Sequence, residues 1–312
     1  MNRLVQRVLS GERAALARFI TLIEDRAPGW RGAMAALAAH ALRARTIGIT
    51  GPPGAGKSTL IAKIAAHYAA EGRKVAVLAF DPSSPFTGGA ILGDRVRMRE
   101  VETEEIFIRS MATRGARGGL SQAARDVTRA VAGAGFDLIL IETVGIGQGE
   151  IDVAYLASNV VLVCVPGQGD VIQTIKAGVM EAADLYVINK ADHEGADKLD
   201  RELHAMLSAR GAPAQPAVVK TIATIGHGVR ELAGQLLALK PSMRAHCKDA
   251  VVAELKEMLR EDIERRVAGD LACGSALGKN GVDFDPYELY NTLYGRRVAD
   301  LFGAPGGRDE RS

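Results

Sequence analysis

The stretch ITGPPGAGKSTL, Ile49 to Leu60, matches the spacing G-x-x-x-x-G-K-[S/T] through Gly51, Gly56, Lys57 and Ser58. After a strand and before a helix, such a string binds phosphate. Its glycines let backbone N–H groups wrap the anion, and the helix N-terminus adds partial positive charge. Gly51, Gly54, Ala55, Gly56, Lys57, Ser58 and Thr59 are therefore the predicted phosphate contacts. Lys57 reaches for the outer phosphates, and the Ser58 hydroxyl is a predicted ligand of Mg2+. A glycine-rich turn without a ligand is the competing reading, and the strand-before, helix-after context argues against it.

VINKAD adds Asn189, Lys190 and Asp192 at the end of a late apolar run. A carboxylate placed there accepts hydrogen bonds from both N1–H and the exocyclic amine of guanine. Adenine lacks those donors and leaves the carboxylate unpaired, a cost of kcal/mol size. The expected nucleotide is GTP or GDP, with the Lys190 stem over the base and Asn189 bracing the loop. TIATIGHG follows the next strand, and its Ala223 amide is the candidate contact to the guanine oxygen. In LILIETVGIGQGE, Glu142 lies where it would hold a Mg2+-bound water, and the Gly145 N–H where it would sense the γ-phosphate. Asp81 and Asp94, in AFDPSSPFTGGAILGDRVRM, are further oxygen ligands suited to a hard cation. Asp81 alternatively positions the attacking water. Arg95, Arg97 and Arg99 recur at every second residue and read equally as a solvated face or a partner contact.

These residues need a scaffold that brings separate strand ends together. From Thr46, short apolar runs (TIGIT, KVAVLAF, EIFIRS, DLILIET, VVLVCVP, DLYVIN, AVVKTIA) alternate with helical stretches. Near-continuous apolar runs of that length are strands buried on both faces. The predicted fold is α/β: a doubly wound, mainly parallel sheet with helical N-terminal and C-terminal extensions. The expected divisions are a helical extension over 1–44, the nucleotide-binding domain over 45–240, and a helical region over 241–312 that would serve dimerisation. In the first, APGWRG interrupts the helical spacing. In the last, two amphipathic helices flank the loop CGSALGKNGVDFDP, and the tail APGGRDERS reads as disordered.

Composition excludes several classes. Hydrophobic residues make up 47% and charged residues 24%, and the net charge is +2, too near neutral for a nucleic-acid or membrane field. No apolar run reaches the length of a membrane span. The arginine-bearing N-terminus has acidic residues and no continuous apolar core, so a cytoplasmic location is expected. Cys164, Cys247 and Cys273 lack metal-ligand spacing.

Four blocks together, GITGPPGAGKSTL, AFDPSSPFTGGAILGDRVRM, IETVGIGQGEIDVA and PGQGDVIQTIKAGVMEAADLYVINKAD, resemble the methylmalonyl-CoA-mutase-associated GTPases, the MeaB/ArgK group of the SIMIBI-class P-loop GTPases. The resemblance spans roughly residues 1 to 240. It implies a GTPase chaperone of an adenosylcobalamin-dependent acyl-CoA mutase, gating cofactor loading from an adenosyltransferase. It implies a homodimer. It matches Asp81, Asp94 and Glu142 to the group's Mg2+ and catalytic carboxylates. It matches Asp170, Gln173 and Lys176 to a third switch that relays nucleotide state to the mutase, with Lys176 taking part in stimulated hydrolysis. Read without the resemblance, that last block is a loop leading into an amphipathic helix.

Two alternatives compete. A nickel metallochaperone GTPase usually carries a His/Cys-rich cluster; here only His246 neighbours a cysteine. A kinase linked to amino-acid transport would need a substrate motif, and none is visible.

Overall fold

The computed structural model describes residues 1–38, 44–81, 103–112, 122–143, 149–167, 177–209 and 215–242, with single helical positions between 252 and 264. Chain contacts divide the protein into two units, Met1–Val251 and Val252–Ser312.

In the first unit three helices come first: α1 (Asn2–Leu9), α2 (Arg13–Glu24) and α3 (Trp30–Ala38). Then follow β1 (Arg45–Thr50), α4 (Lys57–Ala70), β2 (Val75–Asp81), β3 (Ile106–Ala112), α5 (Gln122–Gly133), β4 (Leu138–Thr143), α6 (Gly149–Leu156), β5 (Asn159–Cys164), α7 (Ala177–Ala182), β6 (Leu185–Asn189), α8 (Ala196–Ala209), β7 (Ala217–Thr221) and α9 (Val229–Ala238). All seven strands form one sheet in the order β3-β2-β4-β1-β5-β6-β7. Every neighbouring pair is parallel. The expected α/β class and all seven expected strands are present. In β4, β5 and β6 every position is buried, which explains why they read as unbroken apolar runs.

Helices cover both faces of the sheet. Leu60, Ile61, Ile64 and Tyr68 of α4, with Leu232 and Leu236 of α9, pack on Ile47, Ile49, Leu138, Leu140, Val161 and Val163. The opposite face is covered by α1–α3, α5 and α6 over β2, β3 and β4. Beyond β1, α7 and α8 cover β5 and β6. The connection from β1 runs over β4 to β2, whereas that from β4 runs over β1 to β5. The chain thus changes direction around β1, where open α/β sheets place their ligand sites.

The N-terminal helices differ in detail from the sequence expectation. Gly11, at φ +83, splits the first helical stretch into α1 and α2. APGWRG does not separate helices along its full length, because α3 already begins at Trp30. Among the described residues, no helix is long and apolar enough to cross a membrane.

Candidate functional site

The carboxyl end of β1 runs into the loop Gly51–Gly56, and α4 starts at Lys57. Two glycines make this loop possible. Gly51 has φ +142, and a Cβ there would lie 2.2 Å from the Val163 carbonyl oxygen of β5. Gly56 has φ +83, and a Cβ there would lie 2.5 Å from Asn189 Nδ2. Neither site accepts a side chain without displacing its neighbour.

Gly56 is also the N-cap of α4 and offers no side chain to the helix. The first-turn amides of any helix lack an intrahelical carbonyl, so those of α4 point into the loop along with the positive end of the helix dipole. The Lys57 ammonium is drawn over the same loop, where it donates to the Gly51 carbonyl at 2.8 Å and the Pro52 carbonyl at 3.1 Å. Lys57 is only 6% exposed. A buried ammonium beside helical amides makes the loop a site for a multiply charged anion.

Glu142 approaches from β4, the strand beside β1. Its side chain shares the α4 face of the sheet, and Ser58 Oγ donates to its Oε1 at 2.5 Å. A hydroxyl and a carboxylate meeting at a phosphate loop form the oxygen-only donor set that a hard divalent cation takes.

The other end of the site is built around Asn189, the last residue of β6. Its Nδ2 donates to the Ala55 carbonyl at 2.8 Å. Its Oδ1 accepts from Thr221 Oγ1 and from the Ala223 N–H, both at 3.1 Å. One amide side chain therefore ties the phosphate loop to the turn after β7. The Ala223 amide, expected on the base oxygen, is engaged with Asn189 in this structure. Lys190 follows at φ +56, an unusual backbone for a residue with a side chain. The Lys190 carbonyl accepts from the His193 N–H, and the Ala191 N–H donates to Thr221, closing the turn that carries Asp192. Asp192 is exposed, so an unpaired carboxylate would be costly only once a base covers it.

Gly51 through Thr59, Glu142, Asn189, Lys190, Asp192 and Ala223 thus gather along one edge of the sheet. Asp81 ends β2 opposite Ala112, with β4 between it and β1; its side chain lies outside the described residues. Asp94, Gly145, Asp170, Gln173 and Lys176 lie outside them as well. The sequence reading missed Thr221. Its only sequence signal is a hydroxyl closing an otherwise apolar strand.

A family model described as "Methylmalonyl Co-A mutase-associated GTPase MeaB" matches residues 16–272. The chain belongs to the MeaB family. Membership makes it a P-loop GTPase, and binding of GTP and GDP follows. A Pyrococcus abyssi relative assigned as a GTPase is 45% identical over 86% of this chain and 82% of its own length. The GTPase ArgK of Escherichia coli is 36% identical over 91% of this chain and 87% of its own. Among solved structures, one titled "LAO/AO transport system kinase" superposes with a TM-score of 0.64 at 28% identity, covering 97% of this chain and 93% of that one.

Proposed function

We propose that this GTPase uses GTP cleavage to time the loading of adenosylcobalamin into a cobalamin-dependent acyl-CoA mutase, methylmalonyl-CoA mutase or a related enzyme. The observation that carries the reading is the match, over most of the chain, to a family described by its association with methylmalonyl Co-A mutase. In this reading the loop amides and Lys57 bind the phosphates, and Asp192 selects guanine. The hydroxyl of Ser58 and the carboxylate of Glu142 fit Mg2+ by donor type, with Asp81 and Asp94 as the further proposed carboxylates. Bound there, the ion would neutralise charge on the phosphates. The protein's own part in such a reaction is positioning and charge stabilisation. Lys57 holds charge at the outer phosphates, and Ser58 and Glu142 fix the oxygen atoms around them. Gly145 is the proposed γ-phosphate sensor. Asp170, Gln173 and Lys176 are the proposed relay to the mutase.

The deciding measurement is GTP turnover, alone and with each of several purified cobalamin-dependent acyl-CoA mutases. Stimulation by one of them, lost in Lys57→Ala, supports the role and names the client. In Lys176→Ala, basal turnover persists and only the stimulated part falls. A flat response across the panel overturns the chaperone role while leaving the GTPase. A second reading, a kinase linked to amino-acid transport, draws on the similarity to the solved LAO/AO transport system kinase. Transfer of radiolabel from the γ-phosphate to an amino acid or protein would favour it.

A further inference from the structure

The backbone ladder between β1 and β4 pairs Arg45 with Leu138 and runs to Ile49 opposite Glu142, where it stops. Thr50, the next residue, closes β1 before Gly51 at φ +142. At that next rung the connection passes to two side chains: Thr143 Oγ1 donates to Thr50 Oγ1 at 3.2 Å. Thr50 is fully buried and Thr143 is 4% exposed. Thr50 directly precedes the phosphate loop, and Thr143 directly follows Glu142.

Burial of apolar surface does not require hydroxyls here. Leu138, Ile139, Leu140 and Ile141 fill the preceding positions of β4 with hydrocarbon, and a valine pair would match the two threonines in shape. Replacing both partners of a buried hydrogen bond by apolar groups of the same shape is often neutral or stabilising. What a valine pair lacks is a directional bond that fixes the separation of two strand ends.

We infer that the Thr50–Thr143 hydroxyl pair is a positioning device that holds the Glu142 carboxylate in register with the phosphate loop and Ser58. The inference rests on the proposed role of Glu142. Thr50 and Thr143 touch neither nucleotide nor ion in this account; they act through the strand ends they join. Small displacements of a positioned group cost large factors in rate, so the effect falls on turnover and less on nucleotide affinity.

The test is the double variant Thr50→Val/Thr143→Val, with each single variant and Thr143→Ser. Expected for the double variant are thermal stability equal to or above the parent, GDP affinity within about twofold, and basal GTP turnover lower by on the order of tenfold. The Mg2+ concentration for half-maximal turnover rises, and Thr143→Ser recovers most of the lost rate. Should Thr143→Val fail to fold, Thr50→Val probes the same bond from the other strand. Parental turnover and Mg2+ dependence in the double variant overturn the inference, as does a rate loss that Thr143→Ser does not recover. Glu142→Gln separates the two layers. If it abolishes turnover while the valine pair keeps parental turnover, only the inference falls. If it leaves turnover intact, the reading of Glu142 falls and the inference with it.

Discussion

At the residue scale the site depends on contacts too close to admit any change of size. Gly56→Ala adds a Cβ that would sit 2.5 Å from Asn189 Nδ2, so it displaces the side chain joining Ala55 to Thr221 and Ala223. Nucleotide affinity in Gly56→Ala is expected to fall at least tenfold, consistent with losing hydrogen bonds of about 1 kcal/mol each. Fluorescent-GDP titration checks this, and unchanged affinity would show that Asn189 is not needed as a brace. Asp192→Asn tests the base assignment. It should weaken GTP and raise relative affinity for xanthosine triphosphate, and an unchanged preference would remove Asp192 from the base site. Cys164 gives a pH signature. Burial pushes its thiol up from an ordinary 9.0 to about 12, so the folded state stays protonated where the unfolded chain ionises. The thiol's contribution is fully present below the ordinary thiol range and is lost as pH climbs from about 9 toward 12. Urea midpoints measured across that window should fall for the parent and fall less steeply for Cys164→Ala.

At the element scale the N-terminal helices are part of the core. Phe19, Ile20, Ile23 and Leu37 are fully buried in the same cluster as Leu78, Phe107 and Ile139, at roughly 1.5–3 kcal/mol for each large side chain. Charge contacts fix their position. Arg109 of β3 bonds Glu24 and the Thr21 hydroxyl, and Arg26 bonds Asp126 of α5 at 2.8 Å. Glu24 and Arg109 retain only 11% and 22% side-chain exposure, so removing one strands the other in a poorly solvated place. Glu24→Ala should cost about 2–3 kcal/mol by urea denaturation, below the roughly 3–5 kcal/mol of fully buried pairs because both groups keep some exposure. A loss below about 1 kcal/mol would show that the pair behaves as a surface one. The amphipathic spacing of these helices predicted that they pack on the domain but not which strands they cover, because an apolar stripe specifies burial without naming the surface that buries it.

At the scale of the whole molecule, the sheet's far end holds the segment leaving the first unit. Arg45 donates to the carbonyls of Leu236 and Leu237 at the end of α9, Asn159 Nδ2 to the Lys240 carbonyl, and the Ser242 N–H to Ser158. Beyond it, Val252, Leu255, Leu259 and Ile263 recur at spacings of three and four residues and are exposed. We propose that this stripe serves homodimerisation. Light scattering should then give a dimer for the full chain and a monomer for Leu255→Glu/Leu259→Glu, whereas a monomeric full chain would discard the proposal. Fold class, the seven strands and the phosphate loop were set by the sequence alone. Apolar runs of strand length and a glycine-spaced loop are local signals, dictated by backbone sterics and burial over a few residues. Tertiary structure decided the specific partners: the expected brace Asn189 bridges Ala55 and Ala223, Ser58 and Glu142, expected at one ion, bond each other directly, and Thr50 meets Thr143 at the end of a ladder. Each joins residues 34 to 134 positions apart. A threonine or asparagine closing an apolar strand looks the same in sequence whatever it will touch, because strand order determines its partner and strand order is not written locally.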